Sequence, residues 1–89
     1  MAFKYTIHQI VESSQRGRIE VTINGKNRLL ICRYYYSIYR KKWVINHYSS
    51  IPFKEIYFRS QKDLKDYVSF KIKAYIDKLK ESITASPCN

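Results

Sequence analysis

The 89-residue sequence predicts an α+β domain: an antiparallel sheet of four or five strands followed by one long C-terminal helix. Apolar residues alternate with polar ones through most of the first two-thirds of the chain, and an Asn24-Gly25 pair sits between two such runs. From Ser60 the apolar period lengthens from two residues to about 3.6. Residues 1–89 then form a single domain, with the sheet over about 3–58, the helix over about 61–84 and a short C-terminal tail.

Phe3 to Val11 alternates around Tyr5, Ile7 and Val11, the pattern of a half-buried strand. Glu12 to Gly17 is polar and ends in a glycine able to take positive φ, so it reads as a hairpin loop. Ile19, Val21 and Ile23 mark the second strand, and Asn24-Gly25 closes a tight turn because both positions tolerate left-handed geometry. The third strand starts near Arg28. It should place Leu30, Cys32, Tyr34, Tyr36 and Ile38 on one face and Leu29, Ile31, Arg33, Tyr35 and Tyr39 on the other. Arg40 to Lys42 makes a polar turn into a strand from Trp43 to Tyr48, Ser49 to Pro52 interrupts the pattern, and Lys54 to Phe58 supplies a short last strand. Ser60 and Asp63 form a cap for a helix whose stripe is Leu64, Tyr67, Val68, Ile72, Tyr75, Ile76, Leu79 and Ile83. That helix is longer than a small sheet needs, so its last turns are expected to project or to pack on a second copy in a homodimer.

Seventeen Lys and Arg against seven Asp and Glu give a formal charge of +10, of which residues 1–59 carry +8 (eleven basic, three acidic). Such a surplus is relieved by an anionic partner, and nucleic acid is the commonest. No run approaches the roughly 18 apolar residues of a membrane span, so a soluble, cytoplasmic protein associated with nucleic acid is expected. Cys32 and Cys88 lack metal or disulfide spacing and read as free thiols; His8 and His47 have no carboxylate at ligand spacing, so neither a metal nor another cofactor is expected. The two glycines are too few for a phosphate loop, and Asp63, Asp66 and Asp77 lie among lysines on a solvated helix face rather than as a catalytic pair.

The segment Arg33 to Tyr48 concentrates six aromatic and four basic residues. Cations neutralise phosphates while flat rings stack on bases, so the segment suits a nucleic-acid surface. The candidate contacts are Arg16, Arg18, Lys26, Arg28, Arg33, Tyr35, Arg40, Lys41, Lys42, Asn46 and Tyr48, with Asn46 and Tyr48 sharing the face of Val44. Two other function classes fit the same residues. One is a small regulator, of the kind phages encode, that inhibits a partner protein by occupying its acidic or nucleic-acid-binding surface; the other is a toxin-like ribonuclease using His47, Tyr48, Arg33 and Arg40.

Residues 34–80, above all YRKKWVINHY and IYFRSQKDLKDYV, resemble the three-strand-plus-helix DNA-binding domain of plant ethylene-response factors and the arm-binding domains of phage tyrosine integrases. The corresponding features are the basic turn Arg40 to Lys42, Trp43, Phe58, the cap Ser60 and Asp63-Leu64. The resemblance implies a sheet that enters the DNA major groove, with Arg40, Lys42, Asn46 and Tyr48 in contact, and favours DNA over RNA. The chain departs from the family pattern at Ser49 to Pro52, where a glycine turn is usual, and at Lys65-Asp66, where the family favours alanine. The strands over residues 3–24 have no family counterpart.

Overall fold

The computed structural model describes residues 4–48 and 51–85, with side chains for all of these except 47, 48 and 80–85. Among these residues five antiparallel strands follow one another as a meander: β1 (Tyr5–Ser13), β2 (Arg16–Ile23), β3 (Arg28–Ser37), β4 (Lys42–Tyr48) and β5 (Tyr57–Phe58). One helix, α1 (Gln61–Ala85), completes the predicted α+β arrangement. The last strand is only two residues long, shorter than the alternation from Lys54 suggests, and Phe3 lies outside the described residues.

The hairpins show why particular residues stand at the turns. Asn24 and Gly25 take φ of 54° and 70°, and the Lys26 N–H donates to the Ile23 carbonyl at 3.1 Å. At the β3–β4 turn the left-handed residue is Lys41, φ 53°, and the Ser37 hydroxyl accepts from the Arg40 N–H at 3.2 Å. The first hairpin departs from expectation. Only Ser14 and Gln15 form its turn, and Gly17 is no turn residue but a buried strand position opposite Val11 and Tyr34. A Cβ there would collide with the Tyr34 hydroxyl, with its Cζ at 2.6 Å and with the Ile10 carbonyl at 2.7 Å, so glycine is required for close approach rather than for positive φ.

The helix covers one face of the sheet. Ser60 caps it, its hydroxyl accepting from the Asp63 N–H at 3.1 Å. Leu64, Val68, Ile72 and Ile76 are fully buried in one cluster with Ile19, Val21, Cys32, Tyr34 and Ile45. The rest of the predicted stripe follows as half-buried Tyr67, Tyr75 and Leu79, with Ile83 outside the described side chains. Each buried aliphatic side chain contributes about 1.5–3 kcal/mol of transfer free energy. Two polar latches fix the layers: the Gln9 amide donates to the Tyr34 hydroxyl at 3.0 Å and to Gln61 Oε1 at 3.3 Å, and the Tyr67 hydroxyl accepts from the N–H groups of Lys54 and Glu55. Burial pushes the Cys32 thiol up to about 12, against a backbone hydrogen bond at Ile19, which leaves this cysteine a core residue without thiolate chemistry at neutral pH.

Two register shifts overturn part of the predicted facing. Ile19 opposes Cys32 while Glu20 opposes Leu30, so Ile31 is an extra residue in β3. Leu29 therefore joins the side of Val21, and Leu30 that of Glu20, the reverse of strict alternation from Cys32. Likewise Arg33 opposes His47 while Tyr34 opposes Ile45, so Asn46 is extra in β4 and Tyr48 lies opposite Cys32 instead of continuing the parity of Val44. Ile38 and Tyr39 leave the strand altogether and sit exposed in the turn.

Candidate nucleic-acid interface

The face of the sheet without the helix is built by the residues that alternate with the core. Register places Arg16 opposite Tyr35, Tyr35 opposite Val44, and Val44 opposite Tyr57, giving one straight row across β2, β3, β4 and β5. At a strand spacing of about 4.8 Å the row is about 14 Å long, with its two tyrosines about 10 Å apart. Val44 is buried yet lies outside the core cluster, consistent with cover from the flanking tyrosines. Tyr35 and Tyr57 remain 38% and 43% exposed. The Arg40 guanidinium stands over the Tyr57 ring, 4.8 Å from its centroid, which places a cation at one end of the row, with Arg16 at the other.

Beside the row, an open depression of about 570 Å³ lies at the β1–β2 hairpin end, bordered by Glu12, Gln15, Arg16, Arg33, Tyr35 and Asn46 among others. Its polar side chains include carboxylate and amide acceptors together with amide and guanidinium donors. Farther over β1 and β2 the same face is partly neutralised. Arg18 pairs with Glu12 and Glu20, each at 2.8 Å; Arg28 reaches Glu20 at 3.5 Å and Arg33 reaches Glu12 at 3.9 Å. The hydrogen bond from Arg18 holds the Glu20 carboxyl below its ordinary range, in spite of the opposing desolvation.

The predicted contacts therefore fall into separate groups. Arg16, Tyr35, Arg40, Lys41 and Lys42 gather at the end formed by the β1–β2 and β3–β4 turns, with Arg33 and Asn46 at the depression. Lys26 and Arg28 lie at the opposite end, about 23 Å from Tyr35 along β3, and Arg18 is committed to its two carboxylates. The side chain of Tyr48 lies outside the described residues, as does that of His47. Sequence reasoning missed Tyr57, Val44, Gln15 and Glu12. The Tyr57-Phe58 alternation was a signal for the first, but membership of a row depends on cross-strand register, which no single segment carries.

No family model, curated protein or solved structure matches this chain. Among the described residues no helix is long and apolar enough to cross a membrane, and no group of three or more His, Cys, Asp or Glu could hold a metal ion.

Proposed function

We propose that this chain is a non-enzymatic nucleic-acid-binding domain, favouring DNA over RNA, which engages its ligand with the helix-free face of the sheet. The observation that carries the reading is the Arg16–Tyr35–Val44–Tyr57 row with Arg40 over its far ring: exposed aromatic surface between two cations, on a chain of charge +10. The preference for DNA comes from the resemblance of residues 34–80 to the integrase arm-binding and ethylene-response domains. The basic turn supplies further phosphate contacts, since Lys41 and Lys42 are exposed beside Arg40.

The test is a titration of labelled oligonucleotides at several salt concentrations, with the parent and an Arg40→Ala, Lys41→Gly, Lys42→Ala variant. Glycine at position 41 keeps the left-handed turn unstrained. The variant should keep its thermal transition, bind about ten-fold or more weakly, and show a salt dependence shallower by roughly 0.7–0.9 in log–log slope for each phosphate it no longer neutralises. Unchanged affinity and slope would remove the turn from the interface.

One observation favours a second reading, a protein partner. Tyr39 is 100% exposed and Ile38 69% exposed at the tip of the same turn, an apolar pair of the kind that anchors protein interfaces. In that case Tyr39→Ala would abolish capture of the partner and leave the weak, salt-sensitive attraction to oligonucleotides as it was.

A further inference from the structure

Resting on the nucleic-acid reading, we infer that the ligand is a single strand rather than a duplex. An unpaired base stacks on Tyr35 with its edge in the adjoining depression, and the flanking phosphates lie against Arg16 and Arg40. Three features point this way. The first is width. The five strands span about 19 Å, four spacings of about 4.8 Å, whereas the major groove of B-form DNA is about 12 Å wide and admits a helix or a two-stranded ribbon. A three-stranded unit is slimmer, but here the row itself crosses four strands, from β2 to β5, and β1 continues the sheet beyond it.

The second is the rings. In a duplex the faces of the bases are covered by their neighbours, so tyrosines set side by side in a sheet surface can reach only edges and sugars. An unpaired base offers its face, and stacking on an exposed ring is tolerant of sequence. The depression next to Tyr35 falls within the roughly 300–1,000 Å³ typical of small-molecule sites. Asn46, Gln15 and Glu12 border it with groups able to meet the donors and acceptors along a base edge.

The third is charge. Glu12 and Glu20 lie over β1 and β2, where Arg18 bonds both, Arg28 reaches Glu20 and Arg33 reaches Glu12, so the arginines there are already held by carboxylates. A broad polyanion spread over the whole sheet would set phosphates against those carboxylates. A narrow strand following the row, from Arg16 past Tyr35 and Tyr57 to Arg40, avoids Glu20 and meets Glu12 only at the depression, where a base edge and not a phosphate would lie.

The experiment is fluorescence anisotropy with a mixed-sequence 12-nucleotide DNA, its blunt duplex and the RNA of the same sequence, at low and physiological salt. The single strand should bind at least ten-fold more tightly than the duplex. Tyr35→Ala should weaken single-strand binding by about ten-fold, the loss typical of one stacking contact. Tyr35→Phe should keep parent affinity, because the ring and not the hydroxyl is required; should Tyr35→Ala prove poorly folded, Tyr57→Ala should also weaken single-strand binding, by removing the ring that supports Arg40. Single-stranded RNA binding as well as DNA supports the single-strand inference and overturns the DNA preference. A duplex bound as tightly as the single strand, with Tyr35→Ala neutral, overturns this inference and leaves the nucleic-acid reading standing. No binding to any of the three at low salt overturns that reading and this inference with it.

Discussion

Replacing Gly17 with alanine is expected to destabilise the fold by about 3 kcal/mol or more, although the change adds a single methyl group. In a domain of this size that lowers Tm by roughly 12 °C or more. The reason is the packing of Tyr34, which is almost completely buried, meets Trp43 edge to face with ring centroids 5.8 Å apart, and accepts the Gln9 amide. Its ring lies over the Gly17 backbone, and the new Cβ would also stand 2.7 Å from the Ile10 carbonyl on the neighbouring strand. A flexible side-chain tip could move aside; a paired strand backbone cannot move without breaking its ladder. Gly25→Ala is the control. There φ is +70° but nothing lies within 4 Å, so the cost should be only the left-handed strain of about 1–2 kcal/mol. Thermal melts of the two variants check the ordering, and a milder effect at Gly17 than at Gly25 would contradict the packing described.

Ile72→Ala should cost about 2–5 kcal/mol, through forfeited transfer energy and the cavity left between α1 and the sheet. Ile72 is fully buried within the stripe from Leu64 to Ile76, with the fully buried Val68 and Ile76 one turn away on either side in the same core cluster. Lys73, the next residue along the helix, is exposed, and Lys73→Ala should fall within about 0.5 kcal/mol of the parent. Denaturant unfolding of the pair separates the faces of the helix, and a near-neutral Ile72→Ala would mean that α1 does not seal the core.

The meander and the helix were legible in the sequence because each rests on a local signal. Asn24-Gly25 marks its own turn, Ile19, Val21 and Ile23 mark their own strand, and Ser60 with the Leu64 to Ile76 spacing marks its own helix. What could not be read from segments were relations between them. Ile31 and Asn46 are bulged, and a bulge reverses the parity between the residues on its two sides, so the faces assigned to Leu29, Leu30 and Tyr48 by simple alternation are displaced. Gly17 looked like a turn glycine because it ends a polar run; its true constraint, the ring of Tyr34, comes from the next strand. The candidate interface divides in the same way. Arg16, Tyr35 and Arg40 were visible as types suited to nucleic acid, but Tyr57 joins them only through the pairing of β4 with β5. Arg18 looks like a free cation in the sequence, and its ties to Glu12 and Glu20 exist only once β1 and β2 pair.

The central claim is that the helix-free face, and not the helix, meets nucleic acid. A titration of the isotopically labelled protein with a short single-stranded oligonucleotide, followed through backbone amide shifts, tests it most directly. Perturbations are expected to cluster at Arg16, Tyr35, Val44 and Tyr57 and at the Arg40 to Lys42 turn, with the exposed helix positions Lys65, Phe70 and Lys73 unmoved. Shifts concentrated along α1, with the row silent, would contradict the account.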